Sequence, residues 1–347
     1  MKKYLILTVL SMMAFFGNAN SFRGDGGNYK YELKKTVEKT FSVKENPILE
    51  MDGKYSDFII TTWDQQQIDF KVNIVVKSDN EDKLKAKFNS IDIELEKEGN
   101  KVTAETVFGE YNYKTFNGSM MIKYYVQVPA DVFMELETKY GDITVETVNK
   151  RFEVDIKYGD LVADNLMDIS QIDVKYGNIN VNYAKKLNLE LDYGDAKINK
   201  CDELDGELKY SKIFITELGS GNIDNKYSTT RIEKADKVIF ENAAYSDLKV
   251  SNVTNILDVD MKYSDLSASI SSDTPVVDID GQYSDAVLYI NGTASFRYNL
   301  ESSYSDIIFK GFFDTTKIKG NGTYGEGTPG SLDISTRYGD VKIYKNK

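Results

Sequence analysis

The sequence predicts an all-β chain, a parallel β-solenoid built from repeats of about 18 residues and closed at its N-terminal end by a β-rich cap. Three observations carry this reading. A Tyr-Gly/Ser motif, followed by Asp in nine copies and by Asn in a tenth, recurs at Tyr140, Tyr158, Tyr176, Tyr193, Tyr210, Tyr227, Tyr245, Tyr263, Tyr283, Tyr304 and Tyr338, with Tyr55 an outlying twelfth copy. Apolar residues alternate around each tyrosine, as in Leu257, Val259 and Met261, which is the period of strands with one buried face. The alternation resumes three residues after the tyrosine, at Leu266, Ala268 and Ile270, so each Gly/Ser-Asp pair marks a corner or tight turn.

Taken in order, the chain opens with Lys2 and Lys3, an apolar run from Tyr4 to Phe16, and Gly17-Asn18-Ala19. Those are the three regions of a secretory signal peptide, and cleavage is expected near Ala19. Residues 20–40 are expected to be a flexible N-terminal segment, and residues 41–132 a β-rich capping region. Strands are predicted at 41–43, 48–60, 68–76, 91–95, 102–107 and 121–128. A helix is predicted over 80–88, with Leu84 and Phe88 on one face and Asp79 as its cap. Residues 133–347 form the repeat array. Between Tyr304 and Tyr338 lie two periods, and a degenerate unit near Tyr324-Gly325-Glu326 is expected to fill the gap. An antiparallel meander, with Gly/Ser-Asp as a two-residue hairpin turn, is the alternative that the pattern leaves open.

Within the motif, Gly follows Tyr five times and Ser seven times, so smallness rather than a positive φ is what that position demands. Extending the alternation through the tyrosine places it in the buried row, with the preceding Lys or Arg facing solvent. On that parity Tyr263→Asp should destabilise strongly and Lys262→Ala should do little.

Composition removes several chemistries. The chain has no histidine, which excludes Ser-His-Asp, Cys-His and His-based zinc sites. Cys201 is alone, so no internal disulfide is available, and it is read as an incidental thiol. The net charge is −12, or −14 once Lys2 and Lys3 are removed, with the acids spread along the chain, and this argues against nucleic acid as a partner. No segment after the leader approaches the length of a transmembrane helix.

With Thr62-Trp63-Asp64 after an alternating strand, Tyr125-Val-Gln-Val-Pro129 before the array, and the units running through Tyr338-Gly-Asp-Val-Lys-Ile343, the chain resembles the bacterial putative-adhesin family of exported β-solenoid proteins, related to the head-GIN domains of Bacteroidetes. The resemblance covers roughly residues 40–347. It implies a stacked β-fold and an extracytoplasmic location, and it brings no catalytic residues with it.

Two columns are candidate sites. Asp142, Asp160, Asp195, Asp247, Asp265, Asp285, Asp306 and Asp340 could hold Ca²⁺ through oxygen ligands, although their main expected role is to bond turn N–H groups. The tyrosines could present an aromatic face to glycans or protein, but are expected to be a buried or corner-stacking ladder, leaving Tyr111, Tyr113, Phe116, Phe312 and Phe313 as the better contact candidates. No catalytic, cofactor or metal residues are assigned. The expected function is that of an exported, non-catalytic, adhesin-like binding protein of the cell envelope, periplasmic, surface-bound or extracellular, with a glycan, an envelope component or a protein as partner. A structural envelope or matrix protein is the alternative, and a carbohydrate-active enzyme on a β-helix the third reading.

Overall fold

The computed structural model describes residues 28–110, 116–314 and 316–346. The expected signal peptide, Tyr111 and Tyr113 lie outside these residues. Among the described residues no helix is long and apolar enough to cross a membrane.

The array is a parallel solenoid, and the meander is excluded by the direction of pairing. Each coil has a front arm that ends at the motif tyrosine and a rear arm that begins just after it. Front arms pair in parallel with front arms, as Phe152–Lys157 does with Phe133–Lys139 and with the later half of Leu161–Lys175. Rear arms pair likewise, as Leu161 does with Ile143 and Ile179. The six long strands from Leu161–Lys175 to Asp247–Lys262 each run from the rear sheet of one coil into the front sheet of the next. Alternation puts Leu257, Val259, Met261, Leu266, Ala268 and Ile270 into the core between the two sheets, none more than 3% exposed.

Residues 31–40, expected to be flexible, instead form most of the strand Tyr31–Ser42, which pairs antiparallel with Gln67–Ser78. The first coil of the stack also comes from within the expected cap. Ile48–Lys54 and Ser56–Trp63 flank Tyr55 and pair with Phe133–Lys139 and Ile143–Val148, so Tyr55 is the first rung of the array. The chain between them closes that end, with Ile91–Glu98 and Lys101–Phe108 extending the front sheet and Gly118–Pro129, Gln67–Ser78 and Tyr31–Ser42 extending the rear one. The helix spans Glu81–Asn89. Its cap is Asn80, not Asp79: the Asn80 Oδ1 accepts the Lys83 N–H at 2.9 Å, whereas Asp79 accepts the Lys30 N–H. Leu84 enters the core and Phe88 packs at its margin.

The other end departs from the order of the sequence. The strand Gly330–Arg337 pairs on one side with Val276–Gln282 and on the other with Phe296–Ser303, and Val341–Asn346 sits likewise between Asp285–Asn291 and Ile307–Lys310. The last coil of the chain is thus inserted between the two coils that precede it. No degenerate unit fills the gap at Tyr324. Gly320–Tyr324 pairs antiparallel with Phe296–Ser303 and closes the front sheet, and Phe312, Phe313 and Tyr324 pack with Phe296 and Phe309 over the core.

Candidate functional site: the tyrosine-lined edge

The corner where front arm meets rear arm is made by the tyrosine. All twelve motif tyrosines have φ between 52° and 64°, in the left-handed region, while the small residue after each does not. The positive φ reverses the side-chain parity at that residue. Tyr263 therefore swings out of the core and Ser264 turns in, 43% and 3% exposed respectively. Extending the alternation through the corner buried the tyrosine on paper; the αL backbone overturns this. The corner-stacking half of the expectation holds.

The rings form one continuous stack running Tyr55, 140, 158, 176, 193, 210, 227, 245, 263, 283, 338 and 304, with centroids 4.8–5.1 Å apart and planes within 15° of parallel. Eleven such steps make a ribbon about 54 Å long. Because each face lies against its neighbour, the ribbon shows solvent its ring edges and hydroxyls. Its first ring makes an edge-to-face contact with Phe108 at 6.1 Å, and Lys87 lies 4.6 Å over the Phe108 ring. Burial, with repulsion from Lys54, lowers the Lys87 ammonium to about 8. The last ring, Tyr304, is 81% exposed.

Two charged columns flank the ribbon. On the front side, Lys or Arg precedes eight of the tyrosines, and the charged groups of Lys139, Lys262 and Arg337 lie 5.2–5.7 Å from the centroids of their own rings. On the rear side runs the Asp column. Four of its carboxylates cap a neighbouring corner: Asp142 accepts the Asp160 N–H at 2.9 Å, Asp160 the Asn178 N–H at 2.8 Å, Asp285 the Asp340 N–H at 2.7 Å and Asp340 the Asp306 N–H at 2.9 Å. Among the described residues no group of three or more metal-ligating side chains converges on one point.

A third column escaped notice in the sequence although its period was legible there. Three residues before the tyrosines stand Asp155, Asp173, Glu190, Glu207 and Asp224, stacked by the parallel register on the outer front face. The last four, together with Asp205 and Glu241, line a shallow depression of about 370 Å³. A general acid needs a carboxyl raised toward neutrality. Glu207 goes the other way, held low by its hydrogen bond and charge contact with Lys209. The lone cysteine is core: Cys201 is buried, donates to the Glu203 carbonyl at 3.1 Å, and burial pushes its thiol up to about 12. Of the irregular aromatics, Phe312, Phe313 and Phe116 pack against the core.

No family model matches the chain, and no curated protein does. Among solved structures it is similar to a putative adhesin from Parabacteroides distasonis, at 12% identity over 89% of this chain and 97% of that one, with a TM-score of 0.36. It is also similar to a putative lipid binding protein from the same organism, at 12% identity over 90% and 97% and a TM-score of 0.36. A putative cell adhesion protein from Clostridium sporogenes aligns at 11% identity over 90% and 100%, with a TM-score of 0.18.

Proposed function

We propose that the protein is an exported, non-catalytic binding element of the cell envelope, adhesin-like in role, and that the tyrosine-lined edge is its binding face. The observation that carries this is the exposure of the stacked rings. Tyrosine is the side chain most suited to contact surfaces, with a rigid apolar body and a polar tip, and here it recurs twelve times along one edge of a stack whose other faces carry mostly charged and amide residues. A glycan, an envelope component or a protein could lie along such a ribbon. Export rests on the leader-like residues 1–19, and the uniform coils support a binding or scaffolding role over catalysis.

The test compares the mature protein with a variant carrying Tyr158→Asn, Tyr176→Asn and Tyr193→Asn, since Asn tolerates the left-handed backbone. Thermal unfolding is measured against a panel of glycans and divalent cations including Ca²⁺. A ligand that prefers the native state raises the midpoint, and the rise is expected to vanish in the variant. A rise that survives in the variant places binding elsewhere, with Ca²⁺ on the acidic columns as the case to examine. No rise with any ligand favours the structural role.

A further inference from the structure

We infer that the partner of the tyrosine edge is the same edge of a second copy of this chain, the two stacks running side by side and in the same direction. This rests on the reading of the edge as the binding face and names its occupant.

The first argument is period. A surface that repeats every 4.8–5.1 Å over eleven steps is matched rung for rung by another stack of parallel β-coils, because that spacing is the distance between hydrogen-bonded strands. A second copy supplies such a stack with the same number of rungs.

The second argument is charge. Seen along the stack, the ribbon has cations on its front side and carboxylates on its rear side. Rotating a second copy by half a turn about an axis parallel to the stack faces ribbon to ribbon and brings the front seam of each copy against the rear seam of the other. Lys157 then meets Asp160, Lys262 meets Asp265, and Arg337 meets Asp340, each at its own level. Rotation about a perpendicular axis sets cations against cations and carboxylates against carboxylates. Charge complementarity thus selects the parallel pair, which is the isologous arrangement of a closed two-fold dimer. The one place where the pattern inverts also fits. Asp192 and Asp195 flank one rung and Lys209 and Lys212 the next, so each like pair has opposite charges one strand spacing away on the partner. Exposed tyrosine edges in the middle with charged rims outside form the anatomy of a specific protein interface.

The experiment is sedimentation of the purified protein over a range of concentrations and salt. A dimer is expected, weakened by salt. Lys262→Asp and Asp265→Lys should each weaken it by at least about tenfold, because each sets like charges together at both seams, and an equimolar mixture of the two variants should recover the association. Tyr304→Cys, treated with a short bifunctional maleimide, should cross-link to itself, since only the parallel pair brings the last rungs together; the native Cys201 is buried and should not react. A dimer indifferent to both charge variants, or one that fails to cross-link at residue 304, overturns this interface. Nitration of the tyrosines, mapped by mass spectrometry with and without the glycan panel, separates the remaining outcomes. A monomer whose ladder a glycan protects overturns self-pairing and keeps the edge as a binding face. A monomer whose ladder nothing protects overturns both.

Discussion

Tyr263 illustrates what each rung contributes. Its backbone sits at φ 52°, its ring stacks on Tyr245 and Tyr283 at 5.0 Å, and nearly half of it meets solvent. Loss of the ring forfeits two stacked contacts, and the backbone adds a separate cost for any side chain that dislikes the left-handed region. Tyr263→Asn and Tyr263→Val both remove the ring, yet Val should be less stable than Asn by about 1–2 kcal/mol in denaturant unfolding. Equal stabilities would mean that the corner relaxes away from positive φ. Tyr263→Asp should cost only about 1–3 kcal/mol, because Asp tolerates this backbone and its charge reaches water. Met261→Asp, two residues away in the core, should prevent folding altogether. The sequence alone ranked Tyr263→Asp with core disruptions; comparing the two variants decides the matter.

At the scale of the coil, one motif hides two kinds of corner. In the Gly corners the following Asp or Asn N–H is capped by the previous coil's side chain, and the backbones approach so closely that a Cβ on Gly177 would lie 1.8 Å from the Gly159 carbonyl oxygen. In the Ser corners the hydroxyl donates to the carbonyl two residues back and accepts the N–H of the previous coil's serine, as Ser264 does from Ser246 at 3.0 Å. Each corner is completed by its neighbour, and the two kinds also meet directly: Gly194 donates its N–H to the Ser211 hydroxyl at 3.3 Å and Gly339 donates its own to Ser305 at 3.1 Å. Gly177→Ala should therefore destabilise by about 3 kcal/mol or more through backbone overlap. Ser264→Gly, which leaves a buried N–H without its acceptor, should cost about 2 kcal/mol. Similar small losses for both would show that the corners are interchangeable. The outer face offers a further test. Burial, then the neighbouring Asp258, Asp333 and Asp280, raise the Asp278 carboxyl; burial, then Asp280 and Asp258, raise Asp260. The fold binds these protons more tightly than the unfolded chain, so stability falls as pH rises from the ordinary carboxylate range through the raised values. Asp278→Asn should raise the melting midpoint at neutral pH, with the gain fading below about pH 4. A gain that persists in acid would point to packing instead of charge.

On the scale of the whole molecule, the inserted last coil changes which parts are protected. Gly330–Arg337 is bonded on both edges, and Leu332 and Ile334 are buried. Tyr338 stacks between Tyr283 and Tyr304 at 4.8 and 5.0 Å, and Asp340 links Asp285 to Asp306 through N–H···O bonds. The coil around Tyr338 thus clasps the two coils on either side of it, tying Val276–Gln282 to Phe296–Ser303. In hydrogen exchange the amides of 332–336 are expected among the slowest in the array, slower than those of Ile307–Lys310 at the end of the rear sheet. Rapid exchange of 332–336 would rule out the insertion.

Repetition made the architecture legible from the sequence by itself. The strand period, the recurring corner at each tyrosine and the spacing near 18 residues pointed to an all-β repeat array and left only the parallel stack and the antiparallel meander to choose between, because local alternation and turn chemistry recur in every unit. Even the outlying motif at Tyr55 was visible, though not its place beneath Tyr140. Three matters were settled only by tertiary structure. Tyrosine exposure depends on one backbone angle, which inverts side-chain parity and which no pattern of apolar residues encodes. The different bonding of Gly and Ser corners is visible only once the coils are stacked, because each corner bonds to the coil beside it. The order of the last two coils depends on which strands each pairs with, a property of the assembled stack. A linear pattern specifies which surface each residue prefers, and only the stacked coils decide which neighbours supply that surface.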